Sequence, residues 1–253
     1  MKKTLLLIFL GVLVFAGIVI ARMPVSWVFP GPKAGVSCSD IDGTLWTGTC
    51  TGLTVTALQQ QPLGDLSWDV HASRLLSLKL NADVVLTRPT GTIQGNVEAG
   101  LNNSILARNL KADLPLDQTL TSSLPPNLRG LRGTLHADLS QVRIEKNSLK
   151  SIQGVVEAHD LTDSEDGTTQ HWGSYSLTFP PSNGGDPVGQ IKDLGGGPLS
   201  VEGTLHLTPE PGFDLEGLVA ARPSAPPELA DDLKFLGSPD QQGRRPISLA
   251  GTF

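Results

Sequence analysis

Positive charge, cysteine and helical periodicity are all scarce in this 253-residue sequence. With 19 basic against 25 acidic residues and a formal net charge of −6, it lacks the basic footprint of a nucleic-acid binder. Two cysteines with no histidine close by leave a four-ligand zinc site half built. The amphipathic crossover helices that parallel strands require are missing, which excludes βαβ architecture. Also missing are a Gly-x-Ser-x-Gly elbow, a phosphate-cradling Gly-Lys-Ser/Thr loop, and a Gly-x-Gly-x-x-Gly turn opening a helix after a strand. What is abundant instead is turn chemistry, with 28 glycines and 19 prolines, which points to many short elements in one medium domain or two small ones.

One long apolar run stands apart from the rest. Thr4 to Ala21 carries no charge over 18 residues, and a helix of that length spans roughly 27 Å, enough to cross a bilayer. Lys2 and Lys3 precede it and only Arg22 follows closely, so the positive-inside bias keeps the N-terminus cytoplasmic and sends the rest outward. The expected organisation is a cytoplasmic tip at 1–3, a transmembrane anchor at 4–21 and an exported domain at 22–253. A cleaved signal peptide is the competing reading. Its apolar region is normally about 7–15 residues and ends in a small-x-small site, whereas this run is longer and Val19-Ile20-Ala21 fits poorly.

The exported address bears on the cysteines. Cys38 and Cys50 lie 12 positions apart in a compartment where a disulfide persists, and a bridge would close a loop around Asp42-Gly43-Thr44-Leu45-Trp46. Two separate thiols are the alternative.

Apolar and polar residues alternate in Leu53–Ala57, Leu66–Val70, Leu76–Leu80 and Leu199–Val201, the mark of half-buried antiparallel strands. Between such runs lie Arg88-Pro89-Thr90-Gly91, Asn147-Ser148, Asp166-Gly167, Pro180 to Gly185 and Gly195-Gly196-Gly197-Pro198, all turn chemistry. The fold class read from this is mainly β: an N-terminal transmembrane helix, then an antiparallel, curved meander with one short C-terminal helix. That helix is opened by Ser224-Ala225-Pro226-Pro227, carries a Leu229/Leu233/Leu236 stripe expected to pack on the sheet, and stops at Gly237. A briefer helical turn is expected around Asp117 to Leu120. Internal similarity supports the meander. Thr92–Ala99 and Ser151–Ala158 agree at six of eight positions, 59 residues apart. Gly-Thr-apolar recurs at Gly43, Gly91, Gly133, Gly203 and Gly251, each read as a glycine that ends a tight turn before a new strand.

No constellation points to catalysis, and no cofactor or metal site is expected. The five histidines, His71, His136, His159, His171 and His206, read as satisfied or surface side chains, since none shares a helical i, i+4 spacing with another. Asp160, Asp163, Glu165 and Asp166 lack the EF-hand order of calcium ligands and read as a solvated loop. Carboxylate pairs for glycoside hydrolysis are spatial and do not show in a sequence. Trp46 and Trp68 are candidate partner contacts because aromatic rings offer large contact area, with core packing the competing role. Arg244 and Arg245 are candidate rim contacts, with a solvated turn as the alternative.

Several segments together carry a resemblance. Ala21-Arg22-Met23-Pro24, Trp27, the Cys38 to Leu53 stretch, Leu63 to Trp68, Leu110 to Pro115, Gly173-Ser174-Tyr175, Gly197-Pro198-Leu199 and Leu236 to Gly251 run in an order that resembles the type II secretion system protein N family. The resemblance implies a single-pass inner-membrane protein of a Gram-negative bacterium with a periplasmic β-rich domain. It also implies a non-enzymatic accessory role in protein secretion, with no catalytic residues to carry over. The implied partners are the inner-membrane platform, the outer-membrane secretin or the pseudopilus. A second reading of the alternating pattern is a periplasmic lipid-handling sheet, whose apolar face must be covered or filled.

Overall fold

The computed structural model describes residues 11, 15, 17–27, 35–56, 62–71, 79–100, 103–117, 121, 130–146, 148–165, 168–182, 185–208 and 212–252. Most of the expected anchor, and the Leu76-Ser77-Leu78 part of one expected strand, lie outside the described residues. So do the expected turns at Asn147 and at Asp166-Gly167, and most of the short helix expected around Asp117 to Leu120. Among the described residues no helix is long and apolar enough to cross a membrane; residues 17–21 are helical.

The chain divides into two units, Met1–Arg88 and Pro89–Phe253. In the first, β3 (Thr47–Val55) is the centre: β1 (Val36–Ser37) and β2 (Asp40–Gly43) pair in succession along one of its edges, and β4 (Pro62–Val70) pairs along the other. β5 (Lys79–Arg88) adds to β4, and every pairing is antiparallel. The expected strands at Leu53–Ala57 and Leu66–Val70 fall in β3 and β4, although β3 ends at Val55.

The second unit is an antiparallel meander: β6 (Gly91–Gly100), β7 (Ser104–Pro115), β8 (Leu131–Glu145), β9 (Ser148–Glu165), β10 (Thr168–Phe179), β11 (Val188–Gly195), β12 (Leu199–Thr208), β13 (Gly212–Ala221) and β14 (Arg245–Thr252). Each strand pairs with the next in sequence. Register breaks interrupt the β6/β7, β8/β9, β9/β10 and β10/β11 ladders, and bulges of this kind bend the strands that carry them.

Alternation in sequence becomes two chemically distinct faces. Ile93, Ala112, Ala137, Val156, Leu177 and Ile191 stand opposite one another in a line crossing β6 to β11. One residue along, the line reads Thr92, Asp113, His136, Glu157, Ser176 and Lys192. Neighbouring residues of a strand point to opposite faces, so one face is apolar and the other carries cross-strand charge pairs such as Lys111–Asp138 at 3.5 Å. Phe179, Leu114, Leu139 and Val219 are buried, whereas the whole Ile93 to Ile191 line is only half-buried.

The repeated octapeptides lie on β6 and β9, and their shared glycine has one job. Gly95 lies against Leu110 of β7, and Gly154, at φ +134°, lies opposite Leu139 of β8. A Cβ at Gly154 would sit 2.6 Å from the Leu139 Cα, so the repeat preserves a close backbone approach.

Three sequence expectations need correction. Of the Gly-Thr glycines, only Gly91 opens a strand; Gly133, Gly203 and Gly251 lie inside β8, β12 and β14. There a missing side chain makes room: a Cβ at Gly203 would lie 3.1 Å from the Gly217 Cα, and one at Gly251 2.7 Å from the Phe213 ring. Asp160, Asp163 and Glu165 lie within β9; Asp163 stands opposite Gln170 of β10, pairing that overrides the poor strand propensity of aspartate, while Asp160, at φ +50°, sits in a register break. The C-terminal helix is shorter than its leucine stripe suggested: α1 (Pro227–Asp232) gives way to a 3-10 turn at Leu233–Phe235, with Leu233 buried and Leu236 37% exposed.

A polar staple ties the ends of three strands. Asp193 at the end of β11 accepts hydrogen bonds from the Ser200 hydroxyl at 3.2 Å and the Val201 N–H at 3.0 Å on β12. Arg222, just past β13, pairs with the same carboxylate and donates to the Gly197 carbonyl at 3.4 Å. Burial alone would raise the Asp193 pKa, but the Val201 N–H, the Arg222 charge and the Ser200 hydroxyl outweigh it and hold the carboxyl below its ordinary 3.8. A lowered folded-state value means stability that is complete above the ordinary value and lost as pH falls through the depressed one. Asp193→Asn is therefore expected to be less stable at neutral pH and to show a shallower loss of stability on acidification. Urea midpoints measured from neutral pH down to about pH 2 check this, and parallel acid limbs for the two proteins would refute it.

Candidate functional site

The corner where the chain leaves its N-terminal helix holds Trp46, one of the residues singled out from sequence. β2 and β3 form a hairpin whose tip is Thr44-Leu45-Trp46. Thr44 closes it, donating its N–H to the Thr47 carbonyl at 2.8 Å, while its hydroxyl accepts from the N–H groups of Trp46 and Thr47 at 3.2 Å each. Gly43, at φ +102°, accommodates the reversal, since a side chain there would meet the Thr47 carbonyl.

This tip docks onto the helix exit. Pro24 and Thr44 form an antiparallel bridge, and the Leu45 N–H donates to the Met23 carbonyl at 3.0 Å. The Trp46 indole N–H donates at 2.9 Å to the Ile20 carbonyl, which also accepts the Met23 N–H at 3.3 Å, so the indole adds a second donor at the C-terminal end of the helix. Just beyond, Val25–Trp27 make a 3-10 turn with Val25 buried and Trp27 72% exposed.

The cysteines lie at the far end of the same edge. Cys38 and Cys50 are disulfide-bonded with Cα atoms 5.5 Å apart, and Cys50 is 1% exposed. The bridge falls where the edge of β3 is handed from β1 to β2. Opposite that break Gly52, at φ +61°, lies against Ser39 and donates its N–H to Asp65 Oδ1 at 2.9 Å. A covalent tie therefore closes the one place where the ladder along this edge is interrupted.

Trp68 works elsewhere on the same unit. It stands directly opposite Gly48 across β3/β4, and its ring occupies the space that a side chain at Gly48 would fill. Such an aromatic cover restores packing that a strand glycine forfeits. Phe179 lies over Gly189 in the second unit in the same manner.

Arg244 ends the turn before β14, and Arg245 is the first residue of that strand. Arg244 donates through Nε to Asp240 Oδ2 at 2.9 Å and through its backbone N–H to Asp240 Oδ1 at 2.8 Å. The Arg244 N–H, with help from its guanidinium and the Gln242 N–H, holds the exposed Asp240 carboxyl below its ordinary value. Arg245 donates to the carbonyls of Lys234, at 3.3 Å, and Gly237, tying the 3-10 turn to the strand.

Three of the five histidines lie beside carboxylates. His71 pairs with Asp83 at 2.7 Å, His159 with Glu157 at 2.9 Å, and His136 lies 3.5 Å from Asp113 with its ring 5.2 Å from that of His159. Among the described residues no group of three or more His, Cys, Asp or Glu side chains is arranged to hold a metal ion. Sequence reasoning did not find the Ile20 and Met23 carbonyls or the Asp193–Arg222 staple.

Comparison with known proteins adds an independent line. A family model described as "Type II secretion system (T2SS), protein N" matches residues 34–248. A Vibrio cholerae serotype O1 protein called type II secretion system protein N is 27% identical over 227 residues, covering 86% of this chain and 85% of the relative. An Aeromonas hydrophila protein of the same name is 24% identical over 270 residues, covering 99% of both. No solved structure matches significantly.

The disulfide leads to a direct expectation. Closing this short loop restricts the unfolded chain by roughly 3 kcal/mol, so Cys38→Ser with Cys50→Ser should lose about that much stability. Urea unfolding of the wild type with and without reductant, beside the double variant, checks it; an unchanged midpoint in all three would refute the structural role.

Proposed function

The chain belongs to the type II secretion system protein N family, and from that premise we propose that it is a non-enzymatic accessory subunit of that system, anchored in the inner membrane. The reading is carried by the extent of the match, which runs from just before β1 into β14 and so covers the whole β-rich part rather than one motif. In this reading residues 4–21 cross the inner membrane, Lys2 and Lys3 stay in the cytoplasm, and residues 22–253 lie in the periplasm. Support for the anchor comes from the sequence run and from the helix leading to Arg22, where Phe15, Ile18, Val19 and Ile20 are 41–69% exposed. Apolar side chains in that number need an apolar surrounding.

The contacts proposed are with the inner-membrane platform and with the secretin or pseudopilus. β14 offers a place for them: among the described residues it pairs with β13 alone, and Ser248, Leu249 and Ala250 are exposed in succession. A strand edge of this kind accepts an added strand from a partner. Crosslinking in cells followed by purification of the tagged full chain should recover other secretion subunits; recovery of the chain alone would overturn the reading.

A second reading has its own observation. The half-buried apolar line from Ile93 to Ile191 is a long surface for aliphatic chains, and it favours a lipid-handling role at the envelope. Under this reading the full chain purified from membranes retains lipid in a fixed ratio, and Val156→Asp lowers that ratio without unfolding the protein. Mass spectrometry of extracted lipid decides, and a lipid-free preparation would end this reading.

A further inference from the structure

The inference concerns the docked hairpin, and it rests on the anchored reading given above. The Trp46 indole reaches the carbonyl of Ile20, which belongs to the last turn of the apolar run. Leu45 and Thr44 are fixed to the next residues by the Met23 hydrogen bond and the Pro24 bridge. These three links span Ile20 to Pro24, so the hairpin tip is held at the depth where the anchor ends. It is not separated from the bilayer by a linker.

Around that level the side chains have the character of a membrane boundary. Trp27 is 72% exposed, and Ile20 and Val19 continue the apolar surface down the helix at 53% and 41% exposure. Arg22 is exposed at the junction, placed to meet a phosphate. Tryptophan rings combine an apolar body with one N–H donor, and they concentrate at the headgroup level for that reason. Asp40 and Asp42 on β2 are exposed nearby, which favours zwitterionic over anionic headgroups.

We infer that Trp27 and the Thr44-Leu45-Trp46 tip form a collar seated in the headgroup region of a phospholipid bilayer, fixing how the first unit stands on the membrane. The occupant of this surface is lipid. Continuity with the exposed apolar helix argues for it, because a protein partner would have to cover the tip while leaving the adjoining helix turn to the membrane.

The test uses the full chain in phosphatidylcholine vesicles, comparing wild type with Trp27→Phe, a change at an exposed site that leaves Trp46 and its hydrogen bond in place. Flotation of the vesicles reads anchoring. Quenching of tryptophan emission by lipids brominated near the headgroup, against lipids brominated near the chain end, reads depth. The collar requires that both proteins float, that wild-type emission falls more with shallow than with deep bromine, and that the difference between the two proteins carries a shallow-quenched component. If both float and that difference is unaffected by bromine but open to aqueous acrylamide, the collar is wrong and the anchor stands. If neither floats, the anchored reading falls and the collar with it. Shielding of Trp27 that needs a second protein would also overturn the proposal.

Discussion

Register is the constraint on which the second unit depends. Side chains alternate between faces with a period of two, so a slip of one residue between any two strands would carry Ala137 or Val156 to the wet face and His136 or Glu157 to the dry one. Successive ladders, from β6 against β7 through β10 against β11, hold the same alignment across a line of apolar side chains and a line of polar ones. Local devices pin it: the close approach at Gly154, the bulges beside Gly95 and Gly173, and the ring of Phe179 over Gly189. A slip would set side chains against these backbones, so steric cost and lost burial oppose it together.

The first unit solves a different problem, the junction of a helix with a sheet. A helix end leaves carbonyls without intrahelical partners. The hairpin tip adds an indole N–H to the Ile20 carbonyl, which also accepts the Met23 N–H, and a backbone N–H to the carbonyl of Met23 just past the helix. This makes the β2–β3 hairpin a cap for the helix as well as a piece of sheet. At its other end the Cys38–Cys50 bridge holds the edge together where β1 hands over to β2, so both ends of this edge are tied.

Much of the strand pattern was legible because alternation is a local signal. Leu66-Ser67-Trp68-Asp69-Val70 states its own period, and a meander asks only that each strand find the next one. The disulfide was legible from the expected exported address and the spacing of the two cysteines. What did not show was anything decided by a distant partner. The hydrogen bond between Trp46 and Ile20 joins residues 26 apart, and nothing local marks either. Asp163 reads as loop by propensity, yet Gln170 of β10 supplies the pairing that makes it strand. The glycines misled most: Gly203 and Gly251 share the Gly-Thr-apolar pattern with the strand-opening Gly91, but their role is set by Gly217 and Phe213 across the ladder.

A meander built from nearest neighbours has a consequence for how it meets other molecules. Interior strands have both edges engaged, so new backbone pairing is confined to a terminal strand, and β14 is one. Pro246 and the Arg244–Asp240 turn occupy its beginning, which leaves the stretch from Ser248 to Ala250 as the part open to an added strand. The faces offer no backbone groups at all; they can be engaged only through side chains, by charge on one and apolar contact on the other. Strand addition at β14 and apolar contact on the Ile93 to Ile191 line are therefore physically separable modes of binding. A subunit that joins other proteins by one and touches lipid by the other would need no change of fold to do both.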